Sequence, residues 1–313
     1  MRNPKDYLLI GVKGMAMGAA DVVPGVSGGT IAFITGIYEE LIDTISSVNL
    51  QSLQLLFKGK IAAFWKEING NFIVSLLLGI VVSIVSLAKL IAFLLADHPI
   101  ATWSFFFGLV LASIPLVGRK VRNWKGSRYF AFGAGAIIAW LITDLPPVPE
   151  TGAYWYIFIS GMIAICAMIL PGISGSFILI LLGSYLAVLN AVNDRDIVLI
   201  LIFMAGAVIG LLSFSRLLKF MFQKFHDITI AVLSGFLLGS LNKIWPWKHV
   251  LDWFIKHEGE ENEKKVALIT ENVSPTNYAE LTGEPAHLAL AIGMAIFGFI
   301  VIFGIDRLAA IKS

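Results

Sequence analysis

Two short motifs rich in glycine and hydroxyl side chains follow Pro-Gly pairs, 147 residues apart. The first comprises Ser27, Gly28, Gly29 and Thr30 after Pro24 and Gly25; the second comprises Ser174, Gly175 and Ser176 after Pro171 and Gly172. If a helix begins at each motif, its first four backbone N–H groups have no partner within the helix. Such a helix start binds phosphate or carboxylate, and glycine lets the anion come close. The motifs are therefore candidate phosphate-binding residues, and the Pro-Gly pairs are candidate hairpin tips.

Four charged residues are further candidates. Lys89 and Arg216 lie inside long apolar segments, each three residues after a serine. Cations at membrane depth commonly mark a ligand path, although either side chain could instead extend its charge to the surface. Asp21 precedes the first motif and is assigned to ion coupling or to capping the hairpin. Glu39 is a possible ion-coupling residue, with an interfacial, solvated position as the alternative.

Other site chemistries are not indicated. The histidines at 98, 226, 249, 257 and 287 are scattered without metal-ligand spacing, and the single Cys166 excludes an intrachain disulfide. We expect no metal, no cofactor and no nucleic-acid partner, since basic tracts with interleaved aromatic residues are absent from the sequence. The alternative, structural role for the two motifs is a close-packing surface of small residues, which is common in membrane bundles.

Composition defines the class of protein. Of the 313 residues, 58% are hydrophobic and only 14% are charged, against roughly 45–50% and about 25% in soluble domains. Apolar stretches recur along nearly the whole length, which predicts a polytopic integral membrane protein. Arg2 and Lys5 precede the first apolar stretch, but no small-residue cleavage site follows, so the N-terminus is expected to stay in the mature chain.

Ten helical segments are predicted. They lie near 7–22, 25–44, 71–95, 101–118, 128–144, 154–170, 172–192, 197–221, 229–244 and 287–306. The segments 7–22 and 154–170 are short for a membrane span of about 20 residues, and each ends at a Pro-Gly pair. We interpret each pair of segments around a Pro-Gly as a re-entrant helical hairpin; two ordinary spans joined by a tight turn are the alternative.

The two halves of the chain repeat each other. Residues 23–29 align with 170–176 at an offset of 147, and Gly79, Ser86, Lys89, Gly108 and Ser113 align with Gly206, Ser213, Arg216, Gly235 and Ser240 at an offset of 127. Each half, 7–144 and 154–306, then has a re-entrant hairpin plus three transmembrane helices. Each half then crosses the membrane an odd number of times, since the hairpin returns the chain to its starting side. The two halves therefore enter the membrane with opposite orientation. The prediction is one all-α membrane domain over 1–313 with an inverted-topology repeat, typical of secondary transporters.

Charge predicts the orientation. Lysine and arginine favour the cytoplasmic side, and the basic loops, such as 119–128, all fall on the side of both termini. The net acidic loop 245–286 falls on the extracytoplasmic side.

A family resemblance follows from the motifs. Residues 14–30, GMAMGAADVVPGVSGGT, with GIYE at 36–39 and LPGISGS at 170–176, resemble a bacterial membrane family, formerly of unknown function, assigned as polyprenyl-phosphate (undecaprenyl-phosphate) transporters. The resemblance covers essentially the whole chain. It implies a flippase of the inner membrane that returns undecaprenyl phosphate from the outer to the inner leaflet for envelope synthesis. A coupling ion, H⁺ or Na⁺, is possible.

Two rival functions stay open. The tips also resemble the Pro-Gly-x-Ser-Arg-Ser motif of polyprenyl-diphosphate phosphatases, but Gly175 replaces its arginine, Gly28 stands at the same place in the first tip, and no histidine is close in sequence. Phosphoryl transfer needs cationic stabilisation of the transferring group, so binding without cleavage is favoured and no enzyme is expected. An ion-coupled transporter of a small anion is the second rival; a purely structural scaffold is the weakest interpretation.

Topology is directly testable. A cysteine introduced in the loop 119–128 should be protected from an impermeant thiol reagent in intact cells, whereas a cysteine in 250–280 should be labelled. The unsubstituted protein, with Cys166 alone, gives the background. The reverse pattern would contradict both the orientation and the inverted repeat.

Overall fold

The computed structural model describes residues 2–23, 26–256 and 264–310. Within these ranges the chain is mostly helical, with one two-stranded sheet. The elements are α1 (Pro4–Asp21), α2 (Gly28–Ile34), α3 (Tyr38–Ser46), α4 (Leu50–Phe57), α5 (Ile61–Glu67), α6 (Gly70–Asp97), α7 (Pro99–Gly118), α8 (Gly126–Asp144), α9 (Tyr154–Ile169), α10 (Gly175–Leu181), α11 (Tyr185–Asn193), α12 (Ile197–Ser240), β1 (Lys248–Lys256), β2 (Lys264–Asn272), α13 (Pro275–Thr282) and α14 (Leu288–Ala310).

Several helices match the thickness of a bilayer. Among the described residues, α6, α7 and α12 are each long and apolar enough to cross a membrane, and α10 with α11 passes the same test as a pair bent by 110°. Shorter apolar helices are α9 and Leu288–Gly304. Exposed leucine and valine side chains line α6, among them Leu77, Leu78 and Val85. An apolar surface of this extent belongs in lipid, which confirms the prediction of a polytopic membrane protein.

Helix α12 joins two predicted segments. Its 44 residues would extend about 66 Å if straight, twice the roughly 30 Å hydrocarbon core. A non-helical residue, Phe225 (φ −131°, ψ 41°), divides it. The gap between the predicted segments 197–221 and 229–244 is therefore a kink at one residue rather than a separate loop.

The all-α prediction is wrong in the loop 245–286. There β1 and β2 pair antiparallel, with an irregular register between Val250 and Trp253, and α13 follows. Both strands contain β-branched and aromatic residues in short runs, which suit a pleated strand. The hydropathy pattern did not indicate these two strands, because charged residues interrupt their apolar runs.

Two predicted helical segments are broken near their centres. The segment 25–44 divides into α2 and α3 at Gly36 (φ 75°), and the segment 172–192 divides into α10 and α11 at Gly183 (φ 61°). A positive φ is accessible to glycine without the steric cost that a Cβ imposes. The two breaks are related by the same offset of 147 as the tip motifs.

Close helix contacts recur at equivalent positions in the two halves. Helix α1 packs on α6, and a Cβ at Gly79 would overlap the backbone of Gly11; α9 packs on α12, and a Cβ at Gly206 would overlap the backbone of Phe158. These pairs are related by the two sequence offsets, 147 and 127. Small residues permit such backbone approach between membrane helices.

A second set of contacts crosses between the halves. Helix α14 packs on α7, where a Cβ at Gly108 would overlap the backbone of Ala295. Helix α8 packs on α12, where a Cβ at Gly235 would overlap the backbone of Phe132. Each of these two pairs therefore consists of one helix from each half.

Helix α14 offers a matched test of close packing. A Cβ at Gly298 would overlap the backbone of Phe105, whereas Gly293 on the same helix faces open space. Alanine is the better helix former by about 0.8–1 kcal/mol, so Gly293→Ala should leave stability unchanged or raised. Gly298→Ala should cost about 1–3 kcal/mol through overpacking. Thermal unfolding of the purified variants in detergent measures the difference, and equal melting temperatures would contradict the close contact.

Candidate functional site

The two hairpin tips meet inside the helix bundle. The Ser27 hydroxyl donates to the Met168 carbonyl at 3.1 Å, and the Gly172 backbone N–H donates to Thr30 Oγ1 at 2.8 Å. Ser27 and Thr30 have no exposed surface. The structure therefore brings together two motifs that are 147 residues apart in sequence.

The free backbone N–H groups at the first tip have hydrogen-bond partners close to them in sequence. Ser27 is the N-cap of α2, and its hydroxyl oxygen accepts the Gly29 N–H at 3.1 Å. The Gly28 N–H donates to the Asp21 carboxylate at 2.6 Å. Asp21 thus holds the position that an anion would take at this helix start, in agreement with the capping role that was one of its two predicted roles. Pro24 and Gly25, the predicted first tip, lie outside the described residues.

The second tip lacks these side-chain partners at the equivalent positions. Ser174 is the N-cap of α10 but makes no side-chain capping bond; its hydroxyl instead pairs with that of Ser176 at 2.8 Å. Ser176 is exposed. Met168 stands where the repeat places Asp21, so this helix start lacks the internal carboxylate.

The tip glycines differ in the space around them. A Cβ at Gly29 would lie 2.6 Å from the Ile169 carbonyl oxygen, in the other hairpin. At Gly175 the nearest atom, the Ala164 carbonyl oxygen, would be 3.1 Å away. Gly172, after the buried Pro171, adopts φ 91°, and a Cβ there would run into Ser240. Gly29 and Gly172 are therefore required by tip packing, whereas Gly175 has more room.

The two predicted intramembrane cations lie away from the tip contacts. Arg216 is exposed on α12, and its guanidinium donates to the Val48 carbonyl at 3.0 Å. Lys89 is exposed on α6, with no hydrogen bond or ion pair to any described residue. The structure therefore does not gather Lys89, Arg216 and the tips into one cluster.

Helix α3 is joined to α12 by a row of contacts. Asp43 pairs with Lys219 at 3.2 Å, and Glu39, the possible ion-coupling residue, pairs with His226 at 3.4 Å. Between these pairs, the rings of Tyr38 and Phe222 meet edge to face at 5.9 Å. Together with the Arg216 contact, these interactions attach the first hairpin to a helix of the second half; we call this row the α3–α12 latch.

A cavity of about 870 Å³ lies beside the latch. Glu40, Asp43, Lys66, Asn69 and Lys219 are among the residues that line it. Arg2 pairs with Glu40 at its edge, and this bond holds the pKa of the Arg2 guanidinium above its ordinary value. The tip residues do not line this cavity, so its position differs from that of the predicted site.

Sequence reasoning missed polar groups at the helix breaks. The Lys13 ammonium donates to the Thr35 carbonyl at 2.8 Å, and the Tyr156 hydroxyl donates to the Leu182 carbonyl at 2.9 Å. Thr35 and Leu182 are equivalent in the repeat, so each break has a side-chain donor for the same carbonyl. Lys13 was visible as a cation inside the first apolar helix, which is itself a functional signal.

The fold is that of a mostly helical membrane protein with several candidate spans, in which the two tip motifs are in contact. In the described residues, no group of three histidine, cysteine, aspartate or glutamate side chains is placed to hold a metal. Residues 17–262 match the family described as VCA0040-like, undecaprenyl phosphate translocase-like, and the chain belongs to this family. The resemblance inferred from the motifs is thereby confirmed.

Two relatives support the assignment. The polyprenyl-phosphate transporter of Vibrio cholerae serotype O1 is 47% identical over 304 residues, 97% of each chain. The polyprenyl-phosphate transporter of Staphylococcus aureus is 32% identical over 265 residues, 78% of this chain and 89% of its own. No solved structure matches the chain significantly. Relatives and family are named for transport, in agreement with the prediction that the protein is not an enzyme.

The bond between the tips can be tested with one isosteric change. Thr30→Val leaves the Gly172 N–H buried without an acceptor, which should cost about 1–3 kcal/mol. Thr35→Val is the matched control, because that hydroxyl bonds only carbonyls of its own helix. Melting temperatures in detergent should fall for Thr30→Val and change little for Thr35→Val; an equal response would mean that the tips are not joined through Thr30.

Proposed function

We propose that the protein transports a polyprenyl phosphate, with undecaprenyl phosphate as the substrate, across the bacterial inner membrane. The observation that carries this proposal is the meeting of two broken helical hairpins inside an apolar bundle. Broken helices facing each other are typical of substrate sites in secondary transporters. The names of the two relatives supply the substrate class. A lipid substrate also suits a bundle whose helices expose apolar surface on the outside.

The proposed architecture is an inverted repeat of 7–144 and 154–306. Supporting it are the glycine contacts that recur at the sequence offsets and the equivalent breaks at Gly36 and Gly183. The exchange of helices, with α14 on α7 and α8 on α12, is the pairing that a two-fold relation between the halves produces. Both termini are proposed to be cytoplasmic, with 245–286 outside.

The proposed mechanism is alternating access. On the proposed cytoplasmic side, the α3–α12 latch closes one hairpin on the opposite half. The equivalent elements on the other side, α11 and α6, show no comparable packing between their described residues. This asymmetry supports a conformation that is closed toward the cytoplasm and open outward. Arg216 is then engaged on the closed side, while its repeat equivalent Lys89 is exposed on the open side.

The two tips are proposed to bind the phosphate in turn. In the outward conformation, Ser174, Gly175 and Ser176 receive it, because this helix start has hydroxyls and no carboxylate. At the first tip, Asp21 must release Gly28 before Ser27, Gly29 and Thr30 accept the anion. A cation or proton bound to Asp21 would favour that release, which makes H⁺ or Na⁺ a reasonable coupling ion. Net movement from the outer to the inner leaflet would recycle the lipid carrier.

The alternative enzymatic function has no specific support. A diphosphatase needs cationic groups on the transferring phosphoryl group, and the first tip directs a carboxylate to its helix start instead. Release of inorganic phosphate from a polyprenyl diphosphate by the purified protein would favour this alternative.

The function is tested by reconstitution in liposomes with a leaflet assay for polyprenyl phosphate. The wild-type protein should move the lipid between leaflets, and an ion gradient should bias the net direction. Arg216→Ala and Lys89→Ala should slow transport while remaining folded, with Lys89→Arg milder because it keeps the charge. If protein-free liposomes and wild-type vesicles show equal leaflet exchange, the proposed function fails. Normal transport rates for both alanine variants would show that Lys89 and Arg216 only extend their charges to the surface.

A further inference from the structure

Two lysines lie beside the second hairpin tip, outside every motif that the sequence singled out. Lys243 follows the end of α12, with its backbone N–H donating to the Ser240 carbonyl at 2.9 Å. Ser240 is the residue that a Cβ at Gly172 would strike, so this segment is packed directly against the tip. The Lys243 ammonium lies 4.2 Å from the ring centroid of Phe177, in the first turn of α10.

Lys248 completes the pair. Its ammonium donates to the Lys243 carbonyl and lies 4.7 Å from the ring centroid of Trp103 on α7. Burial lowers the pKa of Lys243 to about 8. The pKa of Lys248 falls well below its ordinary value, first through burial and then through repulsion by Lys243. Both side chains are half-buried, and the two cations are close enough to repel each other.

Neither ammonium has an anionic partner among the described residues. Their contacts are the two aromatic rings and one carbonyl oxygen, and an aromatic face offsets only part of the cost of desolvating a cation. A bound anion would remove both the desolvation cost and the mutual repulsion. Surface lysines need no such partner, so the arrangement itself indicates an anionic ligand.

The residues between the two lysines are of a type found at the membrane surface, where lipid headgroups lie. Trp245 and Trp247 lie between the two lysines in sequence, and their rings are in contact at a tilt of 60°, with centroids 5.4 Å apart. Their indole N–H groups donate to the Val273 and Ala286 carbonyls. Tryptophan is enriched where the membrane meets water, which is also where the phosphate of a lipid lies.

We infer that Lys243 and Lys248 form the outward-side receptor for the phosphate monoester of the transported lipid, next to Ser174 and Ser176 of the second tip. This inference depends on the proposed function and adds two cations that were not among the predicted binding residues. The ammonium groups neutralise the headgroup at the entrance, while the tip hydroxyls accept or donate the remaining hydrogen bonds. Lys243, in contact with α10 itself, is the residue that passes the phosphate to the tip.

The test measures binding of farnesyl phosphate, farnesol and inorganic phosphate to the purified full-length protein in nanodiscs. Wild type should bind farnesyl phosphate and bind farnesol more weakly. Lys243→Gln should weaken farnesyl phosphate binding about tenfold or more, as loss of a charge-assisted bond predicts, without changing farnesol binding. Lys243→Arg should recover much of the affinity, and Lys58→Gln, which removes an exposed lysine elsewhere, is the matched control.

The outcomes separate the inference from the function. If wild type binds farnesyl phosphate and Lys243→Gln binds it equally well, the receptor is wrong while transport stands. If wild type does not bind the lipid phosphate at all, both fail. Inorganic phosphate that binds wild type as tightly as farnesyl phosphate would point to a soluble anion and overturn the lipid assignment. Should Lys243→Gln unfold, Lys248→Gln and Lys243→Arg together give the same comparison, with melting temperature as the check on folding.

Discussion

Polar backbone groups at broken helices inside a membrane must find partners in the protein, and this constraint organises the centre of the structure. Lipid offers no hydrogen bonds to an N–H or C=O group that a helix leaves free. The first tip therefore uses Asp21 and Ser27, and the second gives its Gly172 N–H to Thr30 across the contact. The carbonyls at the two breaks take donors from Lys13 and Tyr156. Removing any of these partners would expose an unpaired group where water is scarce.

The same constraint makes the two tips chemically unequal. One helix start already holds a carboxylate, whereas the other has a serine pair, of which Ser176 is exposed, and a half-buried lysine pair close by. Under the proposed function, a phosphate would enter only the second arrangement until Asp21 moves. In the proposed mechanism, this inequality gives direction to the cycle, because the anion can enter at the open tip and reach the other only after a rearrangement of charge.

Packing between helices allows that rearrangement without unfolding. Glycines bring the paired helices into backbone contact, and in the proposed mechanism each pair would move as a unit. The α3–α12 latch is different, because it consists of one ion pair, one carboxylate–histidine contact, one carbonyl contact and one aromatic pair. Partly exposed ion pairs are individually worth little. A latch of this kind can open and re-form at low cost, which is what a gate between two conformations needs.

The sequence by itself determined the membrane class and showed the two matching motifs with their offsets. Composition decides partition into lipid, Pro-Gly pairs interrupt helices through local backbone preferences, and the offsets are visible without coordinates. Those features depend on neighbours within a few residues or on totals over the chain. The sequence could not show that β1 and β2 would pair, since their runs carry charges, or that 197–240 would be one kinked helix.

Only the tertiary structure decided what each polar group in the site contacts. The sequence could not show that the Asp21 carboxylate accepts the Gly28 N–H. Lys243 became a candidate only because the end of α12 lies against the second tip. There its ammonium contacts the ring of Phe177, which is 66 residues earlier in the chain. Lys89 and Arg216, equivalent in sequence, have different surroundings, because among the described residues only Arg216 of the two reaches a carbonyl outside its own helix, that of Val48. Hydrogen bonds and charge pairs act over a few ångströms, so distances along the chain do not reveal them; the packing of the helices does.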